Sequence, residues 1–276
     1  MDKTIFICAD HGLAIVYFLQ SEIVPRLLAS GVEIVVLTDD AIQEHVSERF
    51  ARPGLVVEGL RLEQARAYFQ KADYSTQWWL DFLRRAGASN RINLQAVDSH
   101  INQVEDEAHQ RRKMLFPVMR AAVWGLRHSR TAREMLVKRQ SKYTPGIYND
   151  LLQRYKPCLV LASTPGWRWD RYLLRDAAAA GIETGAAIVG WDNTSSYSLP
   201  GAPVDWVTCW SQIQKEELVN GSDWSPVDVN IGGIPSYDGY FKKEWLLTRE
   251  DYYRQHNLDP NRQLISYACS FISFSP

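Results

Sequence analysis

Lys3-Thr4-Ile5-Phe6-Ile7-Cys8-Ala9-Asp10-His11-Gly12 opens the chain with an apolar run that stops on a carboxylate, an imidazole and a glycine. A run of this length reads as a buried strand, and the polar triplet as the loop at its C-terminal end. Leu13 to Ser30 is apolar on more than one face and is expected to be a helix, stopped by Gly31 and kinked by Pro25, whose ring removes one hydrogen bond. Val32 to Leu37 repeats the strand pattern and closes on Thr38-Asp39-Asp40. Ile42 to Phe50 is a short helix, and Val56 and Val57 sit in a third strand. Alternating strands and helices at this spacing imply crossover connections and a parallel sheet.

The same rhythm resumes at Tyr155. Cys158 to Ala162 reads as a strand, Ser163-Thr164-Pro165-Gly166 as its loop, Trp169 to Ala180 as a helix, and Glu183 to Val189 as the next strand. That strand delivers Gly190-Trp191-Asp192-Asn193-Thr194-Ser195-Ser196, a cluster of polar groups at the sheet edge where open α/β folds bind ligands. The same residues also suit a turn that satisfies its own backbone. Val204 to Cys209, a helix Gln212 to Val219 capped by Ser211, and Asp228 to Ile231 follow, opening onto Gly232-Gly233-Ile234-Pro235. Thr248 and Asp251 mark the start of a helix to His256, and Gln263 to Cys269 reads as one more strand. The opening resembles a Rossmann domain, yet Asp10-His11-Gly12 stands where a dinucleotide enzyme carries Gly-x-Gly-x-x-Gly. A nicotinamide or flavin cofactor is therefore disfavoured.

Leu60 to Lys142 breaks the rhythm and reads as a helical insertion, with helices over 60–72, 76–86, 94–115 and 117–140. Trp78, Trp79, Phe82 and Leu83 are expected to dock it on the sheet. Residues 61–142 hold sixteen Lys and Arg against eight Asp and Glu, whereas the whole chain is at a formal −1. Within 111–142 the count is ten basic residues to one acid, Glu134, with Arg120, Arg127 and Arg130 on one helix face. Such a helix suits an anionic membrane surface, a phosphate-bearing substrate, or simple solvation. Nucleic acid is not indicated, since no basic stripe with exposed aromatics and no recognition motif is present.

Four scattered cysteines, Cys8, Cys158, Cys209 and Cys269, read as small buried hydrophobes and fit a reducing, cytoplasmic setting. No apolar run reaches the length of a membrane span, so membrane contact is expected to be peripheral, at the inner face. Metal chemistry is not indicated. Asp39-Asp40 suits a turn, and His100 and His109 lack the spacing of a helical zinc pair.

Trp191-Asp192-Asn193-Thr194-Ser195-Ser196, then Asp205, Trp210, Gln214 and Glu217, then Gly232-Gly233-Ile234-Pro235 with Asp238, resembles the amino-terminal half of bacterial glycosyltransferases with two Rossmann-like domains. The resemblance is to the polysaccharide-biosynthesis group related to CDP-glycerol glycerophosphotransferases and UDP-N-acetylglucosamine 2-epimerases. It implies a GT-B amino-terminal domain over 1–240, with the helical insertion 60–142. Residues 241–276 would then be a linker and the start of a truncated second, donor-binding domain. The family pattern has a basic residue and a glycine where this chain has Tyr197-Ser198, and an asparagine where it has Ser211.

The resemblance implies a nucleotide-sugar donor held largely on the second domain, a glycan or lipid-linked acceptor on the first, and no metal. Transfer with inversion needs a base for the acceptor hydroxyl. His11 is the first candidate, with helix capping as its structural alternative, and Asp192 is the rival. Gly12, Trp191, Asn193, Thr194 and Ser195 would hold the acceptor; Gly232, Gly233 and Pro235 would lie toward the donor. Turnover is expected to require a partner chain or the missing domain. A partner-dependent binding module and a nucleotide-sugar epimerase or hydrolase are the competing readings.

Overall fold

The structure, a computed structural model, describes residues 3–243 and 246–267. The chain divides into two compact units, Met1–Ser236 and Tyr237–Pro276. The first is built on seven strands: β1 (Lys3–Ala9), β2 (Val32–Thr38), β3 (Leu55–Gly59), β4 (Leu159–Ala162), β5 (Glu183–Ala187), β6 (Trp206–Cys209) and β7 (Val229–Ile231). Their order is β3-β2-β1-β4-β5-β6-β7 and every neighbouring pair is parallel. This is an open α/β sheet of Rossmann-like type. Chain order reverses direction between β1 and β4, and at such a switch point the loops diverge and leave a crevice at the C-terminal edge.

Both faces of the sheet are covered, which explains why its central strands are almost wholly apolar. Phe6, Cys8, Val35, Leu37, Val160 and Ala162 point to one face. There they meet Leu151 of α10 (Asn149–Tyr155) and Tyr172 and Leu173 of α11 (Arg171–Ala179). Ile5, Ile7, Ala9, Ile34 and Val36 point to the other, as the two-residue period of a strand requires. Against them lie α1 (Gly12–Leu19), α2 (Ile23–Ala29) and α3 (Gln43–Phe50). The single helix expected over 13–30 is thus two helices. The break falls at Ser21, not at Pro25: Ser21 Oγ donates to the Tyr17 carbonyl at 2.6 Å and accepts from the Ile23 amide at 3.3 Å. Pro25 is the third residue of α2, where a missing N–H costs nothing.

Between β3 and α10 run α4 (Leu62–Lys71), α5 (Tyr74–Ala86), α6 (Gln95–Glu107), α7 (Gln110–Lys113), α8 (Phe116–His128) and α9 (Arg130–Gln140). The expected helices 94–115 and 117–140 are each divided. Ser129 is extended and its hydroxyl accepts from the Ala132 amide, so it caps α9 rather than continuing α8. The aromatic stretch of α5 also plays a different part from the one its spacing suggested. Trp78, Trp79, Phe82 and Leu83 pack with Val97, Ile101, Phe116, Met119 and Val123, forming a core internal to the insertion.

Contact with the sheet layer is made by Leu62 and Ala65 of α4, by buried arginines and by a small leucine cluster. Arg84 of α5 donates to the carbonyls of Tyr197 and Leu199 at 3.0 and 3.1 Å. Arg133 of α9 grips Asp223 with two bonds, at 2.6 and 2.8 Å. Asp81 of α5 accepts from Arg171, and Arg175 donates to the Gly201 carbonyl. A planar guanidinium satisfies several acceptors in fixed geometry, which makes it suited to joining two layers through buried polar contacts.

After β5 come α12 (Asn193–Tyr197) and, after β6, α13 (Gln212–Ser222), which Ser211 caps through the Gln214 amide. The second unit contains α14 (Asp238–Lys242) and α15 (Arg249–Gln255), the latter capped by Thr248. Residues 263–267 form no regular element, and the rest of the strand expected to Cys269 lies outside the described residues. Cys8 and Cys209 are buried, but Cys158 is exposed at the N-terminal end of β4; Cys269 is likewise outside the described residues. Among the described residues no single helix is long and apolar enough to cross a membrane.

Candidate active site

At the switch point the loop after β1 meets the loop after β4. His11 is the residue before α1, in extended conformation, and its side chain does not cap the helix. It turns back instead, placing Nδ1 2.7 Å from Asp10 Oδ1. Asp10 is buried and accepts two further bonds: Ser163 Oγ donates to Oδ1 and Arg168 Nε to Oδ2, both at 2.6 Å. Burial alone would push the Asp10 carboxyl up. Hydrogen bonds from His11 and Ser163 and the charge of Arg168 outweigh it and hold the group down at about 2.

A carboxylate can only accept, so the shared proton sits on His11 Nδ1 and the neutral ring presents Nε2 as its basic nitrogen. Nε2 has no hydrogen-bond partner among the described residues, and the imidazole is 23% exposed. Arg168 uses only Nε on Asp10, leaving the rest of its half-exposed guanidinium turned outward. Ser163 bonds to Asp10 and not to the imidazole, so the set is an oriented base and not a serine–histidine nucleophile pair.

The β4 loop is held by a second buried carboxylate. Asp170 accepts from Thr164 Oγ1 at 2.6 Å and from the Arg168 amide at 3.1 Å. Complete burial and the neighbouring Asp10 charge push its carboxyl up to about 6. The loop is also pressed backbone to backbone against Gly201: a Cβ there would stand 1.9 Å from the Gly166 carbonyl oxygen, and the Gly201 amide donates to Pro165. A Cβ at Gly12 would meet nothing within 4 Å, so space remains open in front of His11.

The turn after β5 leaves the same edge, two strands from β1, or about 10 Å at ordinary strand spacing. It is pinned from below by residues of α13. Gln214 Nε2 donates to the carbonyls of Gly190 and Trp191 at 2.9 and 2.8 Å, and its Oε1 accepts from the Trp210 amide. Trp191 is 75% exposed and Asp192 is exposed beside it, whereas Thr194 is fully buried with its hydroxyl bonded to Glu217. Thr194 is therefore a structural residue, contrary to the expectation that it holds substrate. The joint occurrence of 190–196 with Trp210, Gln214 and Glu217 has a physical cause: the second group braces the first. Asp205 lies at the opposite edge, where it accepts from the Thr184 amide and hydroxyl.

Ser195 bonds to the Asp192 carbonyl and, with Glu217, Asn93, Gln95, Ala96 and Ser99, lines a polar hollow of about 370 Å³. The helical insertion thus contributes walls beside the β5 turn, a long-range contact that local periodicity does not encode. Asn193 lies against Gly190, whose hydrogen a Cβ could not replace without meeting its carboxamide at 2.2 Å. Asp192 is not brought to His11 by any hydrogen bond; Asp10 is the carboxylate that orients the ring.

Gly232, Gly233 and Pro235 follow the edge strand β7, four strand spacings or about 19 Å from β1. Gly232 is required locally, since a Cβ would reach 2.3 Å from Thr208 Cγ2, and Gly233 has φ +74°. These residues do not join the His11 cluster. A larger hollow, about 430 Å³, opens below α9 at the N-terminal edge, between Val137, Leu199 and Trp224. Its Arg133 and Asp223 are already paired with each other. Asp40 caps α4 through the amides of Arg61 and Leu62, and no group of three or more candidate metal ligands occurs among the described residues.

The fold and this edge define the class, a Rossmann-like α/β protein with a polar cluster at its switch point. Compared with models of known families and with curated protein sequences, the chain matches none.

Proposed function

We propose that this chain is the acceptor-side lobe of a glycosyltransferase that uses a nucleotide-sugar donor, with His11 as the base that takes the proton of the acceptor hydroxyl. The observation that carries the reading is the Asp10–His11 pair: a buried carboxylate fixes one ring nitrogen at 2.7 Å and leaves the other without a partner among the described residues on a partly exposed ring. An acceptor oxygen within reach of Nε2 loses its proton to the ring as it attacks the sugar carbon, and Asp10 stabilises the imidazolium that results. Arg168 neutralises Asp10 and turns its remaining donors toward any anionic group on the acceptor.

The β5 turn supports the reading from the side. Trp191 presents an apolar ring suited to a sugar face, and Asp192 and Asn193 supply acceptors and donors for hydroxyl groups. The departing nucleotide diphosphate would be stabilised by a donor-binding lobe, supplied by further chain or by a partner, as the resemblance implies.

The test is transfer of labelled sugar from a panel of nucleotide sugars to lipid and glycan extracts, run with the chain alone and with a carboxy-terminal lobe added. His11→Ala is expected to lower kcat by roughly 10²–10⁴-fold with little change in KM. Consumption of donor without any acceptor, unchanged by His11→Ala, would favour a hydrolase or epimerase and overturn the assignment.

A further inference from the structure

We propose that the outer face of α8 docks on an anionic lipid bilayer. Helix α8 has two faces, and the inner one, carrying Phe116, Met119, Val123 and Leu126, is buried in the insertion. The outer one contains no charged side chain over its length of about 20 Å. It consists of Pro117, Val118, Ala121, Ala122, Trp124 and Gly125, with His128 at its C-terminal end packed on Trp124, and these residues fall together at helical spacing. Val118 is 68% exposed and Trp124 65%, and Met114, just before the helix, is 76% exposed. A surface helix normally turns polar residues to water, so an apolar outer face is a surface awaiting a partner.

Charge selects the partner. Residues 111–142 hold ten basic side chains and one acidic one. Arg133 is withdrawn into its pair with Asp223, and Arg120 and Arg127 lean on Glu105 and Asp98 of α6. Of the three arginines that helical spacing puts on one side, Arg120 and Arg127 therefore border the apolar face instead of forming it. Arg120 and Arg130, paired with Glu105 and Glu134, remain half-exposed or more beside it, and residues 61–142 as a whole carry sixteen basic side chains to eight acidic ones. A second copy of the chain would bring an identical basic rim against this one. A bilayer with anionic headgroups satisfies both features, taking Val118, Ala121 and Trp124 at the acyl boundary and compensating the rim. Trp124 lies toward the C-terminal end of the face, and an indole is at home at the depth of the headgroups.

The test is flotation of the full chain with vesicles of phosphatidylcholine alone or mixed with phosphatidylglycerol. Capture by the mixed vesicles and not by the neutral ones is expected, weakened by added salt. The double variant Val118→Ser, Trp124→Ser should lower capture by about tenfold, and Ala121→Asp, which plants a carboxylate at the centre of the face, should do the same. All three positions are on the surface, so thermal unfolding should be unchanged and will separate loss of docking from loss of fold. Equal capture by the two vesicle types, or capture indifferent to these variants, overturns the proposal. A concentration-dependent dimer abolished by Ala121→Asp, without vesicle capture, also overturns it and assigns the face to a second copy.

Discussion

Two polar turns leave the same edge of the sheet, and they are built in opposite ways. At the β1/β4 switch point the functional groups hold one another: Asp10 gathers His11, Ser163 and Arg168, and Asp170 ties down the loop that supplies two of them. At the β5 turn the backbone is held from beneath by Gln214, while Trp191 and Asp192 stand free in solvent. Under the proposed function the first arrangement fixes a base in position before any ligand arrives, and the second offers surface that a ligand would organise on contact. Preorganisation belongs where protons move, and compliance suffices where a substrate is only held.

The contrast breaks most visibly at Gly201. Because its Cβ would collide with the Gly166 backbone and not with a movable side chain, Gly201→Ala is expected to cost at least about 3 kcal/mol in chemical denaturation, or to prevent folding. Gly190→Ala, which meets only the Asn193 carboxamide, should cost less than half as much. Equal costs would mean that the two turns are equally rigid.

The two buried carboxylates should give opposite pH signatures. Asp170 has its folded pKa raised to about 6, so its protonated form favours the fold at low pH, and that contribution fades as pH rises from about 4 through 6. The loss is about 3 kcal/mol, and Asp170→Asn should flatten it. Asp10 has its folded pKa lowered to about 2, so its stabilisation is present above about pH 4 and lost as pH falls toward 2. Asp10→Asn is expected to cost about 2 kcal/mol at pH 7 and almost nothing at pH 2, read from urea midpoints across the range. Parallel slopes for the two variants would refute the assignment of opposite shifts to the two acids.

The smallest effects on stability belong to the compliant turn. Trp191→Ala should change stability by less than about 0.5 kcal/mol while abolishing sugar binding measured by calorimetry. Gly12→Ala should be equally silent in stability, since nothing lies within 4 Å of its Cβ position, and any loss of turnover would then report close approach of substrate.

The parallel sheet was legible because doubly covered strands leave apolar runs separated by polar loops, as in Lys3–Ala9 and Val32–Thr38. The turn carrying His11 was legible as the end of such a run. Its partners were not: Ser163 and Arg168 reach Asp10 only because β4 pairs with β1, a long-range fact that periodicity does not encode. The strand order of a Rossmann-like sheet, with β4 beside β1, is the signal that points to 163–170 as well as to 190–196. Arg84, Arg133 and Arg175 were hidden for another reason. Composition counts an arginine as surface, and only the fold shows that each closes a set of carbonyls or carboxylates between layers.

The direct test of the switch-point base is nitrogen NMR of the histidine rings in the labelled chain, compared with Asp10→Asn. With His11 neutral, the wild type should carry its proton on Nδ1 and leave Nε2 bare, and the variant should move toward the Nε2-protonated form. A wild-type ring already protonated on Nε2, or one indifferent to Asp10, would leave the crevice without its oriented base.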